Sequence, residues 1–312
     1  MKFAFVFPGQ GSQSVGMMDA WADHPAATKV IAEASAALGE DLGLLMAQGP
    51  AEQLNLTTNT QPAMLTASVA MFEAWKAAGG PVASMMAGHS LGEYAALTAA
   101  GSLSLADAVR LVRIRADAMQ AAVPVGTGAM AAVLGLDDDA VREACKQGAQ
   151  GEIVEAVNFN APSQVVIAGH VAAVERAMVA AKALGAKRAV LLPVSAPFHS
   201  SLLKPAAEVL SGALSKVTVH SPSVSVINNV DVAIEQDPAK IRDALVRQAW
   251  HAVRWVEIIQ AMKVQGITHI VECGPGKVLS GMVKRIEPDL VSVSVTDPAS
   301  MQVAIDTLTQ AA

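Results

Sequence analysis

Short apolar runs alternate with longer stretches of helical period in the first and last thirds of the chain, and the middle third breaks that rhythm. Phe3-Ala4-Phe5-Val6-Phe7 is a continuous apolar run that reads as a strand running straight into a glycine loop at Pro8-Gly9. Helical spacing follows over 28–38 and 62–78. A second apolar run covers 82–86, bounded by Pro81 and Gly88, and a helix over 93–100 stops at Gly101. The last third resumes the alternation with a strand over 224–227, helices over 238–248 and 255–265, and a strand over 267–272. That strand passes through Gly274-Pro275-Gly276 into a helix beginning at Val278. The expected class is α/β, a parallel sheet covered by helices.

The middle reads differently. A strand over 128–135, a helix over 137–147, and strands over 153–157 and 164–168 joined by Asn158-Phe159-Asn160-Ala161-Pro162-Ser163 come first. A helix over 171–184 and a strand over 187–193 complete the order βαββαβ, the ferredoxin-like signature. The chain is therefore expected to carry a small inserted domain over 124–194 within a large domain made of 1–123 and 195–312. A cleft between two such units is a common ligand site.

Composition narrows the classes. Over 312 residues, 52% are hydrophobic and 16% charged, which predicts a large core rather than disorder. The net charge of −6 is spread without blocks, which argues against nucleic acid as the main partner. Cys145 and Cys273 stand alone, with no metal-ligand spacing, so neither a metal site nor a disulfide framework is expected. No apolar run reaches the length of a membrane span and no signal peptide is evident, so a cytoplasmic protein is expected.

Gly88-His89-Ser90-Leu91-Gly92 lies between a strand and a helix, the context that makes G-x-S-x-G a nucleophile elbow. The turn projects the Ser90 hydroxyl, and the helix start leaves backbone N–H groups for a developing oxyanion. The same residues fit a capping box from Ser90 to Glu93, in which Ser90 is only a helix cap. A nucleophile needs a base. Of seven histidines, His199 lies in Ser195-Ala196-Pro197-Phe198-His199-Ser200, where the chain leaves the insert and a loop can reach the cleft. A structural loop histidine is the alternative. His24, His170, His220 and His251 are expected to be solvated, and His89 to point away from Ser90.

A helix over 105–122 has a capping box at Ser104 and Asp107 and a buried stripe of Leu105, Ala108, Val109, Val112, Ala116 and Met119. Arg110 and Arg113 have Asp107 and Asp117 at ion-pair spacing. Arg115 has no acid at such spacing and flanks the stripe. Its guanidinium needs an anion from elsewhere, either a distant Asp or Glu or a ligand carboxylate, which its planar fork suits. Phe7-Pro8-Gly9-Gln10-Gly11-Ser12-Gln13 has Ser14 where a dinucleotide fingerprint needs glycine, and Gly274-Pro275-Gly276-Lys277 lacks Walker spacing. Both read as tight strand-to-helix turns.

Together, Phe7 to Gln13, Asn59-Thr60-Gln61-Pro62-Ala63, Gly88 to Tyr94, Arg115, Pro197-Phe198-His199 and Glu272-Cys273-Gly274-Pro275-Gly276 resemble the malonyl-CoA:acyl carrier protein transacylases, in order and over essentially the full length. The resemblance implies an α/β-hydrolase-like large domain with a ferredoxin-like insert. It implies that Ser90 takes the malonyl group as an ester and that His199 is base and then acid. Backbone N–H groups of Gln10 and Leu91 would form the oxyanion hole, and Arg115 would grip the malonyl carboxylate. The backbone carbonyl of Gln248 would position His199, and Gln61, Asn160 and Phe198 are candidate pocket residues. Phe198 resembles the residue found in malonyl-selective relatives. His251-Ala252-Val253 departs from the family's Asn-Pro-Val beside Gln248.

The implied reaction is ping-pong transfer from malonyl-CoA to an acyl carrier protein, between thioesters of similar energy and without a metal or cofactor. A monomer that binds neither nucleic acid nor membrane is expected. An acidic carrier would suit a basic rim at Lys187, Arg188, Lys284 and Arg285, for which a solvated edge is the alternative. Two other readings stay open. A serine hydrolase would need an acid between Ser90 and His199 in the large domain. A carrier-binding module would need no chemistry at all.

Overall fold

The computed structural model describes residues 2–194 and 196–310; Met1, Ser195, Ala311 and Ala312, which belong to the expected large-domain segments, lie outside the described residues. Among the described residues nine strands run in chain order: β1 Phe3–Phe7, β2 Met85–Gly88, β3 Gly128–Leu134, β4 Val154–Ala161, β5 Gln164–His170, β6 Arg188–Leu191, β7 Ser225–Ile227, β8 His269–Cys273 and β9 Val291–Val295. They form two sheets.

The larger sheet is parallel throughout, in the order β7-β2-β1-β8-β9. The chain starts at its centre, builds outward through β2 and β7, then returns to the other side through β8 and β9. That reversal puts helices on both faces and opens a crevice beyond the carboxyl ends of the central strands. β1 shows why the strand is apolar throughout. Phe3, Phe5 and Phe7 enter one helical layer, where Phe5 meets Phe72 and Trp75 edge-on at 5.4 and 5.1 Å. Ala4 and Val6 enter the opposite layer with Trp255, Ile258 and Ile259.

The smaller sheet is antiparallel throughout, in the order β4-β5-β3-β6. Helices Asp138–Ala149 and Val171–Ala183 cover it, with Val141, Ala144, Val174 and Ala177 packed on Ala131, Val133, Val165 and Ile167. This is the ferredoxin-like arrangement.

Several local expectations are corrected. The 158–163 stretch is not a loop: β4 continues to Ala161 through two register irregularities, and only Pro162-Ser163 turns. The large domain holds it in place, because Val253 N donates to Val157 O at 2.8 Å and Phe159 N to Val253 O at 3.0 Å. The 62–78 helix begins earlier, at Thr57, with Pro62 inside it; the helix is buried on nearly all sides, and that packing outweighs the break proline favours. The 82–86 strand is shifted to Met85–Gly88 by its ladder to β1, which pairs Ala4 with Met85 and Phe7 with Gly88. Helix Lys204–Leu214, strand β9 and helix Pro298–Gln310 were not anticipated. Arg110 and Arg113 do not pair within their helix. Arg110 donates to Ala37 O at 3.0 Å and Arg113 pairs with Glu40 at 2.6 Å, both across to the end of helix Pro25–Leu38.

Candidate active site

Ser90 occupies the turn between β2 and helix Gly92–Ala99 with φ +53°, a conformation that only a tightly determined turn imposes on a serine. The space around it admits only glycine. A Cβ on Gly88 would stand 1.8 Å from Gly92 C, and one on Gly92 would stand 2.0 Å from Phe7 O. Asn229, just beyond β7, braces the turn. Its Oδ1 accepts from Ser90 N at 2.7 Å and its Nδ2 donates to Gly88 O at 2.7 Å. The helix-cap reading of Ser90 is thereby overturned, since the residue at the helix N-cap is Leu91 and no side chain caps it.

The Ser90 hydroxyl meets His199 instead, with Oγ to Nε2 at 2.6 Å. His199 is also at positive φ, +66°, and is buried. Its Nδ1 lies 2.8 Å from Gln248 O. A carbonyl only accepts, so Nδ1 carries the proton and Nε2 offers its lone pair to the serine hydroxyl. Among the described residues no carboxylate contacts this imidazole. Burial, then the nearby Arg115 charge, pushes its pKa down to about 3, so it is a neutral base across the physiological range.

Arg115 is 2% exposed. Its Nη1 donates to Gln61 Oε1 at 2.7 Å, and its Nη2 to Gln248 Oε1 at 3.0 Å and to Ser90 Oγ at 3.1 Å. Among the described residues no carboxylate pairs with it. The guanidinium is thus buried among neutral acceptors at the nucleophile, with Nε unpartnered. A positive charge so held favours an anionic ligand group at this point.

Two backbone N–H groups, one on the loop after β1 and one in the elbow, are free among the described residues. The N–H groups of Gly92 and Glu93 are engaged by His89 O and Ser90 O, whereas those of Gln10 and Leu91 meet no acceptor among the described residues. The Gln10 side chain is tied to the Thr57 hydroxyl at 2.7 and 2.9 Å. A Cβ on Gly9 would stand 2.7 Å from His89 O, so the β1 loop lies directly against the elbow. Asn160 reaches in from β4 and meets His89 Nε2 at 2.8 Å, which turns His89 away from Ser90. Phe198 is half-buried and packs on Met130, Val157, Val166 and Ala168, at the junction of insert and large domain.

Two buried groups escaped the sequence reading, Glu93 and Asn229. An acid inside the otherwise apolar helix after Ser90, and an asparagine at the carboxyl end of a central strand, were the available signals. Of the histidines expected to be solvated, His220 is exposed while His24, His170 and His251 are partly buried. His170 Nδ1 accepts from Ile153 N at 3.0 Å, and His251 lies on the Trp250 ring at 3.8 Å. In His251-Ala252-Val253, which departs from the expected Asn-Pro-Val, Val253 is paired to β4, and Gln248 O meets His199 as expected. Lys187, Arg188, Lys284 and Arg285 are exposed and form no ion pair among the described residues.

Comparison with known proteins identifies the family and the fold. The family model for the acyl transferase domain matches residues 4–296. The malonyl CoA-acyl carrier protein transacylase of Escherichia coli K12 is 56% identical over 306 residues, 98% of this chain and 99% of its own length. The crystal structure of an acyl-carrier-protein S-malonyltransferase from Burkholderia pseudomallei superposes with a TM-score of 0.97 at 61% identity, covering 98% of this chain and 100% of that one. A malonyl-transacylase solved in complex with its type II PKS acyl-carrier protein superposes with a TM-score of 0.97 at 51% identity, covering 98% and 100%. The two-sheet framework that carries the Ser90 elbow is shared with these relatives, and the chain belongs to the acyl transferase domain family.

Proposed function

We infer that this chain moves a malonyl group from malonyl-CoA to the phosphopantetheine thiol of an acyl carrier protein through an ester on Ser90. Arg115 carries the reading: its guanidinium is buried, has only neutral partners, and stands 3.1 Å from the nucleophilic oxygen. The malonyl carboxylate supplies the missing counter-charge, and its bidentate pairing with Arg115 sets the thioester carbonyl over Ser90.

In the first half-reaction His199 Nε2 takes the hydroxyl proton as Ser90 Oγ attacks the thioester carbon. The carbonyl oxygen becomes an oxyanion and accepts from the N–H groups of Leu91 and Gln10. Collapse breaks the C–S bond, and coenzyme A leaves with the proton from Nε2. In the second half the carrier thiol gives its proton to His199 and attacks the ester, and Ser90 recovers the proton. Each half exchanges one acyl bond for another, so no metal or redox group takes part. One chain supplies every group used, which supports a monomer as the working unit; a cytoplasmic location is proposed with the reading of the reaction. The exposed cations Lys187, Arg188, Lys284 and Arg285 are the proposed landing points for an acidic carrier.

A hydrolase is disfavoured because Gln248 O, not an acid, positions His199. The test is to supply malonyl-CoA with and without holo-acyl carrier protein. Malonyl-carrier is expected with the acceptor, and a single turnover of coenzyme A release without it. Continuous malonate release in both arms would make the protein a thioesterase.

A further inference from the structure

No step above uses Glu93, yet this carboxyl group is 2% exposed in the first turn of the helix that follows the nucleophile. Placing an acid there is unfavourable unless its oxygens are engaged. One of them is: Oε2 accepts from Asn229 N at 3.0 Å and from Gln248 Nε2 at 2.9 Å. Burial raises its pKa to about 7, so the group sits in a strained electrostatic position that the fold nevertheless keeps.

Gln248 is the hinge of the arrangement. Its Nε2 donates to Glu93 Oε2 and also to Ser90 O at 2.8 Å, while its Oε1 accepts from Arg115 at 3.0 Å. Two acceptors face one end of the amide and a donor faces the other, so a single orientation satisfies all three contacts. The flipped amide would set its NH2 group against a guanidinium. Glu93 and Arg115 do not touch, and the Gln248 amide stands between them. A direct pair would occupy the guanidinium fork and leave nothing for a substrate carboxylate.

We propose that Glu93 is a positioning residue for malonyl selectivity: by accepting from Gln248 Nε2 it fixes that amide with its oxygen on Arg115, which holds the guanidinium in place on neutral partners and leaves its counter-charge to the substrate carboxylate. The proposal rests on malonyl transfer as the activity and on Arg115 as the carboxylate grip. His199 is held by the backbone of Gln248, so the base does not depend on the amide.

The experiment measures kcat/KM for Ser90 acylation by malonyl-CoA and by acetyl-CoA in the full-length protein. Glu93→Met, which removes the acceptor, is expected to lower the malonyl value by about tenfold or more, the usual worth of a hydrogen bond in a charged network, with acetyl changed by less than about threefold. Glu93→Gln, which keeps an oxygen for both N–H donors, is expected to restore most of the malonyl preference. Glu93→Asp keeps a carboxylate one methylene short of Gln248 and reports the same loss should Glu93→Met fail to fold. In an Arg115→Ala background, Glu93→Asp is expected to leave the malonyl-to-acetyl ratio unchanged. An equal fall for both substrates in the Met and Asp variants, or no rescue by Gln, overturns the positioning role while leaving malonyl transfer intact. A wild-type protein without malonyl preference overturns both.

Discussion

Replacing Arg115 by alanine separates the grip on the substrate from the chemistry of transfer. In the wild-type site the malonyl carboxylate would be buried against a guanidinium that is itself 2% exposed. Removing one partner of such a pair leaves the other buried without a counter-charge, which costs about 3–5 kcal/mol. At about 1.4 kcal/mol per tenfold change, kcat/KM for malonyl-CoA should fall by roughly two to three and a half orders of magnitude. Arg115 also donates to Ser90 Oγ at 3.1 Å, so some effect on the nucleophile itself is expected. That effect is common to every acyl donor and cancels in a ratio. Acetyl-CoA has no carboxylate to strand, so its acylation rate should change only by that common effect, and the malonyl-to-acetyl ratio should carry the rest of the loss. Arg115→Lys should recover only part of the malonyl rate, because an ammonium cannot serve Gln61, Gln248 and a carboxylate with one planar fork. The assay is stopped-flow or quenched acylation of Ser90 with each donor. A malonyl-to-acetyl ratio unchanged by Arg115→Ala would refute the grip.

Three further outcomes follow from the same geometry. Since the His199 pKa lies at about 3, kcat/KM for malonyl-CoA should show no acidic limb near pH 6.5, and a pH–rate profile with one there would contradict a buried neutral base. The unfolded chain takes up this proton below about pH 6.5 and the folded chain does not, so the native state loses stability as pH falls towards 3. Relative to His199→Gln, wild type should lose roughly 1 kcal/mol for each pH unit below about 6 in urea titrations, and parallel curves would count against the shift. For the elbow, Gly92→Ala places a methyl group 2.0 Å from Phe7 O, where backbone must move. A loss of about 3 kcal/mol or more in unfolding free energy is expected, and a variant of wild-type stability would show that the turn tolerates a side chain.

The sequence carried the sheet framework and the centre of the site because both rest on short-range patterns. The glycines around Ser90 mark a turn that only they can make, and the apolar β1 marks a strand covered on both faces. The reach of β4 past residue 157 was not legible, because Asn158 and Asn160 look like loop residues, whereas in the fold β5 pairs along β4 to Ala161 and Val253, nearly a hundred positions away, bridges Asn158 on the other side. Arg110 and Arg113 had plausible partners nearby and took distant ones instead. Arg115 was informative through what it lacked. Spacing said it had no acid within its helix, and the folded chain gives it amides from two other helices, Gln61 and Gln248. The roles of Glu93 and Asn229 needed the fold, since each acts through residues more than a hundred positions off. No local pattern encodes such a network.

Intact-protein mass spectrometry after mixing with malonyl-CoA and no acceptor bears most directly on the central claim. A gain of one malonyl group, mapped to the peptide that contains Ser90, lost in Ser90→Ala and outcompeting acetyl-CoA present in excess, is the expected result. Label on another residue, or none at all on a folded protein, would contradict it.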